Sequence, residues 1–424
     1  MDQESRRGEE DGHAAGAQAL HGAPVGLSVL VVGVRWPPET FLARLIRGLL
    51  KAGIDVTVAS DKQPGTDWLS EPNLAWLHAP AWNGSLAKRL LRLANMTGRV
   101  LARAPQDIRW VFSCVSGTDS LREQGKAGYR LLPFAGRRWD IVYFPWNTAA
   151  ITYLPLVRLA RGGVLSCRGS QVHVGAHDPR RAALREGMRL TFEQAAAVHC
   201  VSEAVKKEAV ALGLDPSKAH VIRPAVDPGF FCPGAFPRPD RVTFQVVTTG
   251  TLNWKKGYEY ALSALRRLLD RGIPAHLNII GEGGERPRIL YTMHDLELET
   301  HVRLLGHLPP EKVRDHLQRA DVFVLSSLSE GISNAVLEAM ACGLPVVTTD
   351  CGGMREAVTD GVEGFVVPMR DPDAMADALA CLAAAPEQRR AMGTAGRQRI
   401  VEEFTLDRQI GQFVALLEEV SAEK

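Results

Sequence analysis

Short apolar runs alternate with helical patterns through most of the 424-residue chain, and this alternation is the feature that most constrains its fold. The first run, Leu27–Gly33, is nearly all apolar, as expected of a parallel strand that is buried on both faces. A helical pattern follows at Thr40–Lys51. Chains that alternate in this way form parallel sheets covered by helices. Further strands in this half are predicted at Ile54–Ser60, Ile141–Phe144, Gly163–Cys167, Ala197–Val201 and His220–Arg223.

The alternation breaks at residues 227–240, a segment rich in proline, glycine and aromatic residues that can continue neither as helix nor as strand. It restarts at Val242–Gly250, so the pattern predicts an α/β fold with two Rossmann-like, doubly wound domains that face a cleft. The predicted divisions are a disordered tail at 1–25, a first domain at 26–226, a linker at 227–240, a second domain at 241–405 and a helix at 406–424 that packs back toward the first domain.

Composition and charge set the broad class of protein. The formal net charge is +2, so the overall charge indicates no particular partner and no nucleic acid is expected. The seven cysteines are scattered and none forms a CxxC pair, a pattern typical of reduced thiols in the cytoplasm. The first residues are acidic where a signal peptide needs cations, and no run reaches the ~18 apolar residues of a membrane-spanning helix.

The segment Ser326–Glu356 carries the most chemistry. A strand ends near Ser326, Glu330 and Gly331 follow in a short loop, and a helix begins near Ser333 or Asn334. Free backbone N–H groups at such a helix start bind anions, for which a diphosphate is a natural ligand. Glu330 and Glu338 then lie on either side of the anion, where a carboxylate can accept two hydroxyl hydrogen bonds. The alternative is an ordinary loop acid and a solvent-facing helix residue.

Two further loops follow predicted strands of the second half. Lys255 and Lys256 in TGTLNWKKGY lie where a loop meets a helix, and a lysine there can neutralise charge on a departing diphosphate. The alternative is a pair of solvated loop lysines. Residues 279–286, IIGEGGER, contain only part of a GxGxxG fingerprint, since Arg286 occupies the third glycine position. A tight turn at the edge of the cleft is therefore predicted there.

These segments together resemble a known family. The stretches EGISNAVLEAMACGLPVV, TGTLNWKKGYEYAL, IIGEG and LLGHLP are similar to those of glycosyltransferase family 4, most clearly over residues 242–370. The resemblance implies the GT-B fold, a nucleotide-diphosphate sugar donor and transfer with retention of anomeric configuration. It also implies that the first domain holds the acceptor and the second the donor. WPPETFLARLIRGLLKAGIDVTVAS, near the start, is similar to members that build exopolysaccharides.

The resemblance also implies roles for particular residues. Glu330 would contact the donor sugar, Glu338 the ribose and Lys256 the diphosphate. Backbone amides would hold the phosphates at Gly331, Ile332, Ser333 and Asn334. The other positions that would lie along the donor are Gly33, Gly250, Thr251, Lys255, Gly281, Glu282, His307 and Leu308.

Two departures from the family pattern affect these roles. Thr251 stands where the family has an arginine, so one cation for the diphosphate is missing, and Lys255 is a possible substitute. In the first domain, SCRGSQVHV replaces the frequent H-G-x-D pattern, with Arg168 in the histidine position and Gln171 in the aspartate position. An arginine there can bind a phosphate or the acceptor but is no general base. Arg168, Gln171 and His173 form the expected acceptor side.

No metal or cofactor is expected. Asp371-Pro372-Asp373 resembles the metal signature of another transferase fold, but it precedes a helical run and suits a turn and cap. His173 and His177 have a ligand-like spacing without a third ligand nearby.

A basic amphipathic pattern at residues 85–104 points to a membrane surface. Leucines and Val100 recur on one helical face, lysine and arginine on the other, and no acid interrupts them. The alternative is a helix that packs on its own sheet. We therefore expect a retaining, metal-independent hexosyltransferase in the cytoplasm, peripheral on the inner face of the membrane if that surface binds lipid, with a glycan, lipid-linked or small-molecule acceptor. The alternatives are an epimerase or phosphorylase of the same fold, or a weakly active nucleotide-sugar-binding scaffold.

Overall fold

A computed structural model describes residues 26–116, 120–234 and 242–422 of the chain. The tail predicted at 1–25 and the last part of the predicted linker, residues 235–240, lie outside the described residues.

The first domain is built on a seven-stranded sheet in the order β3-β2-β1-β4-β5-β6-β7, with every neighbouring pair parallel. Its strands are β1 (Ser28–Val31), β2 (Asp55–Ser60), β3 (Leu74–His78), β4 (Trp139–Phe144), β5 (Ala160–Cys167), β6 (Ala197–Cys200) and β7 (Ala219–Val221). Its helices are α1 (Thr40–Lys51), α2 (Thr66–Leu69), α3 (Leu86–Arg103), α4 (Pro105–Val115), α5 (Leu121–Leu131), α6 (Asn147–Tyr153), α7 (Ala182–Gln194) and α8 (Glu203–Ala211).

Both faces of this sheet are covered, which explains the unbroken apolar run of its first strand. Successive side chains of a strand point to opposite faces. Val29 and Val31 therefore join the core on the side of α1, whereas Leu30 and Val32 join the core on the side of α3.

The second domain has a six-stranded sheet, again parallel throughout, in the order β10-β9-β8-β11-β12-β13. Its strands are β8 (Phe244–Thr249), β9 (Ala275–Ile280), β10 (Val302–Leu304), β11 (Val322–Leu325), β12 (Val346–Thr349) and β13 (Gly364–Val367). Its helices are α9 (Tyr258–Asp270), α10 (Arg286–Asp295), α11 (Pro310–Arg319), α12 (Asn334–Ala341), α13 (Met354–Ala357), α14 (Pro372–Ala384) and α15 (Pro386–Glu403). The predicted fold class, two doubly wound Rossmann-like domains, is confirmed.

The final helix, α16 (Leu406–Ala422), packs on the first domain rather than the second. Its apolar residues Phe413 and Leu417 belong to the same core as Val29 of β1. The Phe413 ring also meets His199 edge to face, with 4.7 Å between ring centroids. The chain therefore crosses between the domains twice, before β8 and again before α16.

The structure agrees with two local predictions at helix ends. Asp371 caps α14, its carboxylate accepting the backbone N–H of Ala374 at 2.9 Å, so the turn-and-cap interpretation of that D-x-D is confirmed. Gly343 adopts φ +70° directly after α12, as a glycine that ends a helix does. The edge strand β3 (LAWLH) was not predicted; in the structure only one of its five residues is buried.

Candidate functional site

Both sheets reverse their strand order at one place, and these places define where a ligand can enter. The first sheet reverses between β1 and β4, the second between β8 and β11. In open parallel sheets the loops at the carboxyl ends of such strands leave a crevice for ligands. The loops concerned contain Gly33, Trp146, residues 250–257 and residues 326–333. The residues predicted for the donor lie mainly in these loops.

The loop after β8 is held in place by two glycines. Gly250 has φ +156°, and a Cβ there would lie 3.1 Å from Lys256 Cε, so a side chain would obstruct the path of the lysine. Gly257 is left-handed with φ +56°, and a Cβ there would lie 2.4 Å from the carbonyl oxygen of Ser326. The hydroxyl of Tyr258 donates to the Gly250 carbonyl at 3.0 Å. This packing directs Lys256 toward the end of β11.

Lys256 and Glu330 form an ion pair at the end of β11. Lys256 Nζ lies 2.6 Å from Glu330 Oε1, and the side chains are 18% and 15% exposed. The hydroxyl of Ser327 donates to the same carboxylate oxygen at 2.8 Å, while Ser326 Oγ donates to the Lys256 carbonyl at 2.9 Å. A partly buried, charge-assisted bond is stronger and more directional than an exposed one. The lysine predicted to meet the diphosphate is thus oriented by the glutamate predicted to meet the sugar.

The start of α12 lacks a side-chain cap. Ser333 occupies the N-cap position, but its side chain makes no capping hydrogen bond, and its own N–H contacts only the Met354 sulfur at 3.4 Å. The first amides of an α-helix need acceptors from outside the helix. Gly331 and Ile332, which lead into this turn, are buried. This helix start therefore lacks a side-chain cap and is sheltered from bulk water, and the binding of phosphates by its amides stays a prediction.

Glu338 lies further along α12 and faces the first domain. Its Oε1 is 3.4 Å from an Arg44 guanidinium nitrogen on α1, and both side chains are less than one-fifth exposed. Burial raises the pKa of Glu338, and the Arg44 charge and hydrogen bond oppose that rise. The predicted ribose acid is thus held by a cation from across the cleft.

The remaining donor-side positions surround this centre. The loops after β9 and β10 lie side by side, since the Gly281 N–H donates to the Gly306 carbonyl at 2.8 Å. Glu282 and His307 in these loops are exposed, while Leu308 packs on the core of the second domain. Gly281 also backs onto the Gly250 carbonyl, where a Cβ would approach to 1.9 Å. The predicted tight turn at residues 279–286 is present at this edge.

Three further predicted positions lie in the loops that follow β8 and β1. Thr251 is exposed in the loop after β8. Lys255, the proposed substitute for the missing arginine, donates from Nζ to Ser170 Oγ of the first domain at 2.7 Å, and burial lowers its pKa. Gly33 is exposed after β1 with φ +77°, and a Cβ there would lie 2.5 Å from Ala149 Cβ. Lys255 thus points to the acceptor-side loop.

The acceptor-side residues follow β5. Arg168 lies with its guanidinium carbon 3.5 Å from the Phe41 ring centroid, and its Nε has no hydrogen-bond partner. Gln171 donates from Nε2 to Thr148 Oγ1 at 3.2 Å. Burial lowers the pKa of His173, which favours a neutral ring near pH 7. No acid is placed among these residues to act as a general base.

The two domains touch directly at the centre of the site. Gly169 has φ +80°, and a Cβ there would lie 3.0 Å from the backbone nitrogen of Gly331. Gly352 also packs closely at this point: a Cβ there would lie 1.8 Å from the Glu330 carbonyl oxygen and 3.3 Å from His173 Cε1. Glycines at these positions let three backbone segments from two domains converge on Glu330.

A second contact joins the two domains at Glu356. The Glu356 carboxylate accepts the backbone N–H groups of Glu203 at 3.0 Å and Ala204 at 3.1 Å, at the start of α8 in the other domain. Arg223 also donates to it at 3.1 Å. A residue of one domain therefore caps a helix of the other, and the negative charge is favourably placed at the helix start.

Sequence reasoning missed several residues of this site. Arg44, Phe41 and Trp146 lie in the first domain and reach the cleft only in the folded chain. Ser327 and Glu356 carry no motif by themselves. One signal was available for Arg44, since it lies one turn inside the helix that follows the Gly33 loop.

Two facing Rossmann-like domains, with an uncapped helix start and a lysine–glutamate pair in the cleft between them, define a glycosyltransferase fold of the GT-B type. A family model described as glycosyl transferases group 1 matches residues 239–399, and one described as a glycosyl transferase 4-like domain matches residues 38–225. The chain belongs to glycosyltransferase family 4, which confirms the resemblance found in the sequence.

Curated relatives and solved structures agree with this assignment. The amylovoran biosynthesis glycosyltransferase AmsK of Erwinia amylovora is 30% identical over 268 residues, which are 60% of this chain and 65% of AmsK. The alpha-maltose-1-phosphate synthase of Mycolicibacterium smegmatis is 30% identical over 263 residues, 55% of this chain and 66% of that protein. Across the first three relatives the matched region spans 43% to 65% of each protein's length, roughly half.

Similar solved structures cover the whole fold. Sucrose-phosphate synthase from Thermosynechococcus elongatus has a TM-score of 0.73 at 18% identity, over 94% of this chain and 100% of that one. HepE of Anabaena, in complex with UDP and glucose, has a TM-score of 0.68 at 17% identity, over 93% of this chain and 100% of that one. At such identities the similarity shows the fold alone.

Proposed function

We propose that this chain transfers a hexose-type sugar, with retention, from a nucleotide-diphosphate sugar to a hydroxyl group of a glycan, lipid-linked or small-molecule acceptor. The observation that carries the proposal is the Lys256–Glu330 pair beside the uncapped start of α12. A cation and free backbone amides at one point of the cleft suit a diphosphate, and carboxylates beside them suit sugar hydroxyls. The solved complex of Anabaena HepE with UDP and glucose supports a donor of this class.

The proposed chemistry depends on stabilising the leaving group. The bond between the anomeric carbon and the diphosphate oxygen breaks early, which leaves an oxocarbenium-like sugar and a more negative diphosphate. Lys256 and the amides at the start of α12 stabilise that charge. The acceptor hydroxyl attacks from the same face, and its proton passes to the departing phosphate oxygen. Arg168 and Gln171 supply no carboxylate base, so this step uses a group of the substrate. No metal or cofactor is part of the proposal.

The biological setting follows from the relatives. AmsK is named for amylovoran biosynthesis, and we extend that setting to this chain as exopolysaccharide or cell-envelope glycan synthesis in the cytoplasm. The acceptor side is the part of the site that differs most from the family pattern, because Arg168 and Gln171 replace its histidine and aspartate.

A peripheral membrane contact through residues 85–104 is the second part of the proposal. Within the described ranges, no helix is both long and apolar enough to cross a bilayer. In α3 the predicted apolar face is divided: Val100 is buried and Leu93 packs on the core, but Leu86 and Leu90 are 63% and 54% exposed.

The charge of α3 supports an anionic lipid surface as its partner. Leu91 is 73% exposed, and the side chains of Lys88, Arg92, Arg99 and Arg103 are exposed beside it. Exposed leucines among cations, with no acid in the helix, match the head groups and upper acyl region of an anionic bilayer. A lipid-linked acceptor would be delivered at such a surface.

The direct test is a binding and transfer assay on the purified chain. Thermal shifts with a panel of nucleotide sugars should show preference for one base, and Glu338→Ala should weaken the shift. NMR of the product with an added acceptor should show the donor's anomeric configuration. If the donor is isomerised when no acceptor is present, the chain is an epimerase. If inorganic phosphate yields a sugar 1-phosphate, it is a phosphorylase. Binding of a nucleotide sugar without hydrolysis or transfer would identify a scaffold. Equal or absent shifts with every nucleotide would overturn the proposal.

A further inference from the structure

An arginine without a countercharge is built into the acceptor side of the cleft. The guanidinium carbon of Arg168 lies 3.5 Å from the Phe41 ring centroid and 6.0 Å from that of Trp146. The two rings meet edge to face, 5.2 Å apart. This aromatic corner holds the guanidinium group by cation–π contact and limits its rotation.

The charge of Arg168 has no carboxylate partner among the residues that the structure describes. Its Nε–H is buried and donates to no acceptor. The Tyr143 phenol lies near enough to hydrogen-bond to the guanidinium group, and Glu39 acts on it electrostatically without an ion pair within 4.0 Å. Burial lowers the pKa of Arg168, which expresses the free-energy penalty of a buried charge. A partly buried cation that lacks a carboxylate partner is unfavourable, and a bound anion would offset that cost.

Two amide oxygens in the same corner are also without partners. Asn147 Oδ1 and Gln171 Oε1 are buried and accept no hydrogen bond. Their nitrogens are fixed, since Asn147 Nδ2 donates to Cys167 Sγ at 3.4 Å and Gln171 Nε2 donates to Thr148 Oγ1 at 3.2 Å. A buried polar atom without a hydrogen-bond partner destabilises the folded state unless a ligand supplies that partner. The two amide oxygens can therefore accept hydrogen bonds from hydroxyl groups, next to the Arg168 guanidinium group, which can donate to an anion.

This corner lies at the sugar end of the proposed donor site. Arg168 directly precedes Gly169, which abuts the backbone of Gly331, and Gly331 directly follows Glu330. Because the proposed function assigns the diphosphate to Lys256 and the start of α12, the ligand group in the corner is taken to be either the transferred sugar or the acceptor sugar that attacks it. Both carry hydroxyl groups for Asn147 and Gln171, and a neutral sugar would leave Arg168 unpaired.

We infer that Arg168 binds an anionic group, a carboxylate or a phosphate, carried by one of the two sugars that meet in the cleft. The inference rests on the proposed function and narrows its substrate class: either the donor is a nucleotide uronic acid, or the acceptor is an acidic or phosphorylated sugar. The Arg168 guanidinium group pairs with the anion, while Asn147 and Gln171 accept the neighbouring hydroxyls.

The donor arm of the test uses pairs of nucleotide sugars that differ only at C6. The pairs are UDP-glucose with UDP-glucuronic acid, UDP-galactose with UDP-galacturonic acid, and GDP-mannose with GDP-mannuronic acid. Dissociation constants are measured for the wild-type chain, Arg168→Met, Arg168→Lys and the control Arg180→Met, whose side chain is 90% exposed. If the donor carries the anion, one acidic donor binds at least tenfold more tightly than its neutral partner. Arg168→Met removes that preference, Arg168→Lys retains part of it, and Arg180→Met leaves it unchanged.

The acceptor arm applies when acidic and neutral donors bind alike. With the best donor, kcat/KM is compared for octyl glucoside, octyl glucuronide and octyl glucoside 6-phosphate. If the acceptor carries the anion, an acidic acceptor is used at least tenfold faster than the neutral one, and Arg168→Met abolishes the difference. Binding of UDP and GDP, together with the unfolding temperature, shows that each variant is folded.

Each outcome separates this inference from the proposed function. A preference in either arm that Arg168→Met removes supports the inference and identifies the source of the anion. No preference in either arm, or a preference that survives in Arg168→Met, overturns it while the proposed function stands. A folded wild-type chain that binds neither UDP, GDP nor any nucleotide sugar overturns the proposed function itself.

Discussion

Arg44 of the first domain and Glu338 of the second meet across the cleft, with 3.4 Å between the guanidinium nitrogen and the carboxylate oxygen. Glu338 is the residue expected to accept the ribose hydroxyls, so Arg44 occupies or borders the place of the donor. Burial raises the pKa of Glu338 and Arg44 opposes that rise, so the ion pair affects the pH at which the carboxyl group ionises and can accept ribose hydroxyls.

Replacing Arg44 should therefore alter the pH dependence of donor binding. An ionised Glu338 accepts ribose hydroxyls better than a protonated one, so affinity should rise as the pH increases through its pKa. Arg44→Met removes the cation that lowers this pKa and should move the midpoint to higher pH. Titration of nucleotide-sugar affinity against pH would show the shift. In Glu338→Gln the midpoint should be absent with or without Arg44; a midpoint that persists there belongs to another group.

The contact between Gly169 and Gly331 should be needed for transfer and not merely for folding. Gly169→Ala places a Cβ 3.0 Å from the Gly331 nitrogen, and its backbone angles of φ +80° and ψ −71° are strained for alanine. Gly53→Ala is the matched control, since Gly53 has φ +83° with nothing within 4 Å of the added Cβ. Both variants should still fold but lose stability in thermal unfolding, because each puts an alanine at positive φ. Only Gly169→Ala should lose transfer, by roughly tenfold or more; equal losses would refute a role for the contact.

Lys256 should act mainly on the departing diphosphate. Lys256→Met should lower kcat by about 10²–10³-fold, as removal of a positioned transition-state donor does, with a smaller change in donor affinity. Lys312→Met, on a side chain that is 64% exposed, should leave both values unchanged. Single-turnover kinetics separates the chemical step from binding. A loss confined to affinity would mean that Lys256 only holds the ground-state donor.

The exposed leucines of α3 should determine binding to anionic vesicles. The double variant Leu90→Gln with Leu91→Gln removes two side chains that are 54% and 73% exposed, and should weaken binding at least tenfold. Binding is measured by co-sedimentation at two salt concentrations. The vesicles are phosphatidylcholine with and without phosphatidylglycerol. Leu290→Gln, on α10, is the control. Equal sedimentation of wild type with neutral and anionic vesicles would argue against the proposed surface.

His199 should make the first domain sensitive to acid. Burial lowers its pKa from 6.5 to about 3, and Nε2 faces the Ile222 carbonyl at 2.8 Å, so Nε2 carries the proton and Nδ1 accepts from Ser166. Since the folded state favours the neutral ring, its stabilising contribution is complete above pH 6.5 and declines as the pH falls toward 3. At pH 5 the loss is about 2 kcal/mol.

Urea unfolding at pH 7 and pH 5 would measure this loss. His199→Asn should lack that part of the decline, whereas His78→Asn, on a side chain that is 55% exposed, should retain it. If His199→Asn does not fold, the NMR shift of the His199 ring in the wild-type chain gives the same answer, because the ring should remain neutral down to pH 4. A ring that titrates near pH 6.5 would contradict the prediction.

The sequence predicts what local patterns determine. Strand alternation identified the two sheets, because a buried parallel strand needs apolar side chains on both faces. The start of α12 and the positions of Glu330, Glu338 and Lys256 follow from the order of residues around it. The roles assigned to these residues remain predictions that the experiments above address.

Contacts between the domains could not be predicted in this way. Arg44 and Glu338 are 294 positions apart, and their meeting depends on the angle between two rigid bodies. The same holds for Gly169 against Gly331 and for Glu356 at the start of α8. The environment of Arg168 could not be predicted either, because Phe41 and Trp146, whose rings lie beside its guanidinium group, come from separate parts of the chain.

The return of α16 to the first domain has a consequence for synthesis of the protein. Phe413 and Leu417 complete a core whose other members, such as Val29 and Ile46, emerge from the ribosome several hundred residues earlier. Part of the apolar surface of the first domain therefore stays uncovered while the second domain is translated and folds. Chaperones that bind nascent chains should engage this half, and a stop codon just before α16 should yield an aggregating product rather than a truncated enzyme.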